Sequence, residues 1–312
     1  MNFLDLRLKV RNFFKKYKKL LIIIIIVWAI IIAINYFLKQ LNENQKPTTT
    51  YEPNKAVMDD SEVPKALQEP INNLIGEFVG YCNDKNYETA YSMIDADCKE
   101  ISYPTIDSFK AYVDNIYTTK KIYNIQNFSN VDNNYIYNVR ILDDIMATGT
   151  NGNGYLYYEE KFVLKDTDQG LKLSIGGFIE KKDLNISTED EYLKIEIPYK
   201  IVEYDTETYV VKVTNRTQNP IVLLDDSISN EIELSLGNQR RNMQNSSENL
   251  IMVNARETKT VKLYFTKFVD DGNIPEKLMF NAVRVLQSYA GNEQNTVDNA
   301  IDKYSLNIDL PE

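Results

Sequence analysis

The strongest feature of the hydrophobic pattern is an uninterrupted apolar run from Leu20 to Leu38. This run has no charged residue, and its nineteen residues would span about 28 Å as a helix, close to the ~30 Å hydrocarbon core of a bilayer. The pattern therefore predicts one transmembrane helix. Two alternatives fit less well, because a cleaved signal peptide has a shorter core and a small-residue cleavage site, and a buried helix of a soluble protein usually keeps a polar face.

The residues on either side of this run predict its orientation. Residues 1–19 carry seven basic side chains and one acidic side chain, and basic segments stay on the cytoplasmic side of a membrane. We therefore expect a cytoplasmic N-terminus and C-terminal domains outside the cytoplasm, at the cell membrane. The residues expected at the membrane interface are Lys15, Lys16, Lys18, Lys19, Tyr36 and Phe37.

The polar segment 39–62 has no apolar period and predicts a flexible linker. Residues 63–182 predict a first folded unit that begins with helical spacing over 64–81. A short helix is expected from Tyr87, and a third helix starts near Pro104 and Thr105, which are helix-start residues. The period then changes to two and predicts four strands: Ile122–Phe128, Tyr135–Leu142, Tyr155–Leu164 and Leu171–Ile179.

Residues 190–312 predict a second unit made of short strands. Valine, isoleucine, tyrosine and threonine are frequent there, and Asn, Asp, Gly and Pro separate the runs, which favours a β-sandwich. The predicted strands are Glu191–Ile197, Lys200–Tyr204, Thr208–Thr214, Ile221–Leu224, Glu231–Leu236, Leu250–Val253, Thr258–Phe268, Lys277–Leu286 and Tyr304–Ile308.

Two segments carry family resemblances. The order of helices and strands over residues 65–181 resembles that of the NTF2-like superfamily. The segments that carry this resemblance are the early NDKNYETAYSMI and the closing EEKFVLKDTDQGLKLSIGGFIEK. The later TYVVKVTNRTQNPIVLL resembles bacterial immunoglobulin-like domains. The first resemblance implies an α+β cone whose interior holds the catalytic Asp, Tyr or His of active members, but no residue of this chain matches such a motif. The predicted fold class is therefore a membrane-anchored α+β chain: one transmembrane helix, an NTF2-like cone and an all-β immunoglobulin-like sandwich.

Composition narrows the chemistry. The chain has no histidine and only two cysteines, which excludes Ser-His-Asp and Cys-His catalysis, histidine-ligated metals and four-thiolate metal sites. The net charge is −10 overall and +6 over residues 1–19, so residues 20–312 carry −16. This acidic part disfavours nucleic acid as a partner. We expect no catalytic residue, no metal site and no cofactor.

The two cysteines, Cys82 and Cys98, lie in the part expected outside the cytoplasm, where disulfides persist. A bridge needs their Cα atoms within about 7 Å. The short helix predicted between them could hold them further apart. A disulfide and two free buried thiols are therefore the two alternatives.

These observations predict a single-pass, membrane-anchored interaction or scaffold protein of a Gram-positive-type cell envelope. Its expected partners are the lipid bilayer and other envelope proteins. One alternative is a VirB8-like or TcpC-like subunit of a conjugative (type IV) secretion apparatus, which also places an NTF2-like domain after one N-terminal membrane helix. The second unit departs from that pattern. A further alternative is a small-ligand-binding protein or enzyme that uses the NTF2-like pocket, with a buried carboxylate as base.

Overall fold

The computed structural model describes residues 64–131, 134–144, 157–168, 170–225, 227–267, 274–289 and 296–311. Three of its described helices begin at residues whose side chains accept backbone hydrogen bonds: Asn86 from Thr89, Asp95 from Cys98, and Thr105 from Ser108. Four helices lie in these ranges: α1 (Lys65–Asn83), α2 (Tyr87–Ser92), α3 (Ala96–Ser102) and α4 (Ile106–Ile116).

The helices precede a four-stranded antiparallel sheet, called sheet A, whose strands follow chain order. Its strands are β1 (Lys121–Val131), β2 (Asn134–Asp143), β3 (Tyr157–Thr167) and β4 (Gly170–Ser174). Side chains alternate between two faces of such a sheet. The inner face contacts the helices, since the ring of Phe162 lies 5.6 Å from that of Phe78 in α1. The outer face carries Ile136 and Val163, both buried.

Two further sheets share one apolar core. Sheet B has the order β11-β13-β7-β6-β5; sheet C has the order β10-β9-β14-β8-β12, with β15 paired to β14. The core draws on both sheets, for example Val211 and Phe265 from sheet B and Leu234 and Phe280 from sheet C. The strands are β5 (Phe178–Glu189), β6 (Leu193–Glu203), β7 (Thr206–Asn215), β8 (Ile221–Asp225), β9 (Ile232–Leu236), β10 (Gln239–Asn242), β11 (Asn245–Ser246), β12 (Leu250–Val253), β13 (Thr258–Thr266), β14 (Lys277–Leu286) and β15 (Ala300–Asp309).

Strand β5 connects the two parts of the fold. It follows a turn at Gly176 and Gly177, which both have positive φ, and it pairs with β6 from Phe178 to Glu189. The connection predicted between the two units, from residue 183 to residue 189, therefore lies inside one strand. A small cluster of Ile136, Val163, Ile179 and Val202 packs the outer face of sheet A against β5 and β6. Sheet A and sheet B thus share buried apolar area as well as chain continuity.

The predicted fold class is wrong for the described residues. They are mostly β-structure, with fifteen strands and four short helices, because the segment expected to close a cone continues as β5 into the next sheet. None of these four helices is long and apolar enough to cross a membrane. The predicted transmembrane segment Leu20–Leu38 lies outside the described residues, as do its interface residues Lys15, Lys16, Lys18, Lys19, Tyr36 and Phe37.

Candidate functional site

The most unusual polar group between the helices and sheet A is the carboxylate of Glu160. Strand alternation places Glu160 on the inner face of β3, beside Phe162, and only 1% of its surface is exposed. Burying a charged group is costly unless hydrogen bonds replace its water. Glu160 is therefore the first residue to consider as a functional acid or base.

Hydrogen-bond donors surround this carboxylate. Its Oε1 atom accepts the backbone N–H of Gly176 at 2.7 Å and that of Lys161 at 3.0 Å. The hydroxyl of Tyr112, on α4, donates to Oε2 at 2.7 Å. The group thereby joins α4, β3 and the glycine turn that leads into β5.

The electrostatics keep the phenols protonated. Burial raises the pKa of Glu160 above its usual value, and the hydrogen bonds from Tyr112 and the backbone partly oppose this rise. Burial and the nearby Glu160 raise the pKa of Tyr112 well above its usual value and that of Tyr158 to about 12. The Tyr112 phenol is thus a donor to the carboxylate at neutral pH. Three protein donors occupy most of the roughly four lone-pair sites of this carboxylate, and its side chain is buried, so it is poorly placed to act as a general base on a substrate.

Aromatic side chains occupy the space around this site. Phe78, Phe109 and Phe162 are fully buried. The ring of Phe109 lies 6.2 Å from Phe78, 5.8 Å from Tyr103 and 5.9 Å from Tyr112, distances typical of packed aromatic pairs. The layer between helices and sheet is thus packed with its own rings where the predicted cone would have its pocket.

The two cysteines are free thiols in the structure, and both are buried. Burial raises the pKa of Cys82 to about 12. Burial likewise raises the pKa of Cys98 to about 11. Such thiols are poor nucleophiles at neutral pH because the thiolate is the reactive form. Within the described residues, no group of three or more Cys, Asp or Glu side chains is placed to hold a metal ion.

Sequence reasoning did not single out Glu160. The signal was present in the alternation of β3, where Glu160 occupies the same phase as Phe162 and Leu164. A charged residue in the apolar phase of a strand indicates a buried carboxylate with specific partners. Its main partner, Tyr112, is 48 residues away and belongs to another element, so the sequence alone could not pair them.

Glu160 predicts a pH dependence of stability. Since the folded pKa lies above the usual 4.5, the folded chain holds this proton more tightly than the unfolded chain. The resulting stability is complete below pH 4.5 and is lost as pH rises through the folded pKa. Glu160→Gln should therefore flatten the melting temperature as a function of pH from 4 to 8. The chain has no histidine to add a transition in this range.

The matched control for this measurement is Glu159→Gln, because Glu159 lies on the outer face of the same strand and pairs with Arg140. The melting temperature of this control should vary with pH in parallel with that of the unmodified chain. The pKa of Glu203 is also raised by burial. Glu203→Gln should therefore remove a separate part of the dependence of melting temperature on pH. A Glu160→Gln profile that runs parallel to the unmodified one would contradict this account.

No family model, no curated protein and no solved structure matches this chain. The two family resemblances therefore rest on sequence segments alone, and the functional argument depends on the chain's own chemistry.

Proposed function

We propose that this protein is a non-catalytic interaction or scaffold protein that works at the extracytoplasmic face of the cell membrane. The location is inferred from the sequence of residues 1–38. The observation that carries the interaction function is an exposed apolar row on the outer face of sheet A. The interior of the helix–sheet layer supports the same conclusion, because its buried carboxylate already accepts three hydrogen bonds from the protein.

This row, called the outer-face patch, consists of the exposed Ile122 and Tyr157 and the half-buried Leu142 between them. The strand register pairs Ile122 with Leu142 and Leu142 with Tyr157, so the three side chains lie side by side across β1, β2 and β3. Ile122 is 49% exposed and Tyr157 is 50% exposed. Arg140 stacks on the Tyr157 ring at 4.4 Å and pairs with Glu159 at 3.0 Å.

The composition of this patch favours another protein as its occupant. Tyrosine and arginine beside aliphatic side chains are the residue types enriched at protein interfaces and among their energetic hot spots. Stacking on Arg140 also fixes the Tyr157 ring, so little side-chain entropy would be lost on binding. The partner we expect is an envelope protein with an apolar contact surface.

Photo-crosslinking in the source cells tests this function. With benzoylphenylalanine in place of Tyr157, irradiation should produce a discrete adduct with a second protein. The same group at Ile301, an apolar position of β15 that is 59% exposed, should not produce that adduct. Adding Ile122→Ser to the Tyr157 variant should reduce the adduct at least fivefold, since it removes a neighbouring contact of the patch.

Three outcomes would contradict the interaction function. One is irradiation without any protein adduct at Tyr157. Another is an adduct that Ile122→Ser leaves unchanged, because a specific interface would require its neighbouring contact. The third is turnover of a small molecule by the purified full chain that is lost in Glu160→Gln, because it would make the buried carboxylate catalytic.

A further inference from the structure

A second surface, distinct from the outer-face patch, lies where the chain passes from one sheet to the other. Strand β10 pairs with β9 in sheet C, and the next strand, β11, pairs with β13 in sheet B. The change occurs within one step, because Met243 N–H bonds to Ile232 in sheet C and Gln244 N–H bonds to Tyr264 in sheet B. The chain entering β9 and the chain leaving β10 therefore diverge, and a cleft of about 390 Å³ opens between them.

The described lining of this cleft carries no unbalanced charge. It contains no lysine or arginine, and its two carboxylates are engaged. Glu231 is paired with the buried Arg284, and Glu248 is paired with Lys259. A phosphate or carboxylate ligand would find no cation here, and a cationic ligand would find no free carboxylate. The ligand that matches this lining is polar and uncharged.

Primary amides supply most of the polar lining. Among the described residues, no protein group hydrogen-bonds to the side chains of Asn230, Asn242 and Asn249, and all three are exposed. Each amide presents a donor and an acceptor side by side. That spacing matches the N–H and C=O of a peptide group. The uncharged polar residues of the described lining are Ser229, Asn230, Asn242, Gln244, Asn245, Ser246 and Asn249.

The apolar residues of the lining favour a peptide over a sugar as the ligand. Ile228 and Met243, both half-buried, form an aliphatic wall above the buried Leu224 and Ile232, and no aromatic ring lies among the described lining residues. A sugar ring would lack an aromatic face on which to stack. A peptide would place its side chains on the aliphatic wall and its main chain on the amides. Met243 can adapt to different side chains because it is unbranched and flexible.

We propose that this cleft binds an uncharged stretch of extended polypeptide main chain from a partner protein. The proposal rests on the interaction function and adds a second contact surface to it. Strands β10 and β11 are the terminal strands of their sheets, so this part of the chain also offers the kind of edge at which extended peptides bind. The cleft volume lies within the range of ordinary ligand pockets.

Side-chain amide NMR of the full chain tests this site. The probes are acetyl-trialanine amide as the peptide and a trimer of N-acetylglucosamine as the sugar. The peptide should shift the side-chain amide signals of Asn230, Asn242 and Asn249 in a saturable way, and the sugar should not. The double variant Asn242→Ala/Asn249→Ala should weaken peptide binding at least tenfold, since two sets of hydrogen bonds are removed.

The matched control is Asn124→Ala, an exposed asparagine of β1, which should leave peptide binding unchanged. The peptide site is refuted if the peptide gives no saturable shift, if the sugar binds as tightly as the peptide, or if the double variant binds the peptide normally. Crosslinking at Tyr157 separates the two proposals. An adduct that persists in the double variant alongside a failed peptide titration would remove the cleft proposal and leave the interaction function standing.

Discussion

Replacing Arg284 by methionine is expected to lower the free energy of unfolding by about 3–5 kcal/mol, because it leaves a buried carboxylate without its cation. Arg284 is fully buried, and Glu231 is 2% exposed. The guanidinium holds the carboxylate through two nitrogens, Nη1 on Oε1 and Nη2 on Oε2 at 3.2 Å. Glu231 also accepts the backbone N–H of Asp225 at 2.6 Å.

Urea unfolding followed by far-UV circular dichroism measures this effect. The double variant Arg284→Met/Glu231→Leu should recover part of the loss, since apolar residues of similar volume often replace a buried ion pair without net cost. It should stay about 1–3 kcal/mol below the unmodified chain, because the Asp225 N–H loses its acceptor. The control is Arg216→Met, whose exposed pair with Glu189 should be worth less than about 1 kcal/mol.

A double-mutant cycle then separates the energy of the Arg284–Glu231 interaction from the cost of burying each side chain. If Arg284→Met costs no more than Arg216→Met, the pair is not desolvated as the structure indicates. If the double variant is as unstable as the single one, the apolar replacements do not fill the site. Because Glu231 forms part of the amide-rich cleft, loss of the Arg284 side chain should also disturb that surface, whereas Arg216→Met should not.

Local alternation predicted most strands of the two later sheets. Leu250–Val253 and Lys277–Leu286 have the predicted bounds, since period-two patterns need no knowledge of distant partners. The predicted Glu191–Ile197 and Lys200–Tyr204 prove to be one strand, β6. Proline normally ends a ladder. Here Pro198 falls at a register shift on both sides of the strand, where its missing N–H breaks no ladder bond, and the strand continues.

The missed elements are those whose pairing is not local. Strands β10 and β11 have polar sequences, QRRN and NS, and exist because neighbouring sheets supply their partners. Helix α3 (Ala96–Ser102) was not predicted. Its N-terminus is fixed by Asp95, which accepts the N–H of Cys98 and pairs with Lys165 at 2.8 Å, 70 residues along the chain. No sequence window contains both members of that ion pair.

The candidate sites also divide into features that the sequence shows locally and features that depend on distant strand partners. The absence of histidine already excluded whole classes of catalysis, and this conclusion needed no structure. The outer-face patch and the cleft could not be found in this way. The patch depends on the register that aligns Ile122 with Tyr157 through Leu142, and the cleft depends on a sheet change between Asn242 and Asn245.

Replacing Phe162 by alanine is expected to cost about 3–5 kcal/mol, as for other large aromatic-to-alanine changes in a packed core. Phe162 is fully buried, contacts the Phe78 ring at 5.6 Å and lies opposite Tyr137 in the strand register. Urea unfolding measures the loss. Phe162→Leu should cost less, since it keeps most of the apolar volume.

Benzene makes this variant a test of function as well as packing. An apolar cavity made by mutation stays dry and binds benzene, so benzene should raise the melting temperature of Phe162→Ala by mass action. It should not raise that of the unmodified chain, whose rings already occupy the space. If benzene stabilised the unmodified chain equally, the helix–sheet layer would contain a pocket, and a ligand-binding role would replace the packed interior inferred from Phe78, Phe109 and Phe162.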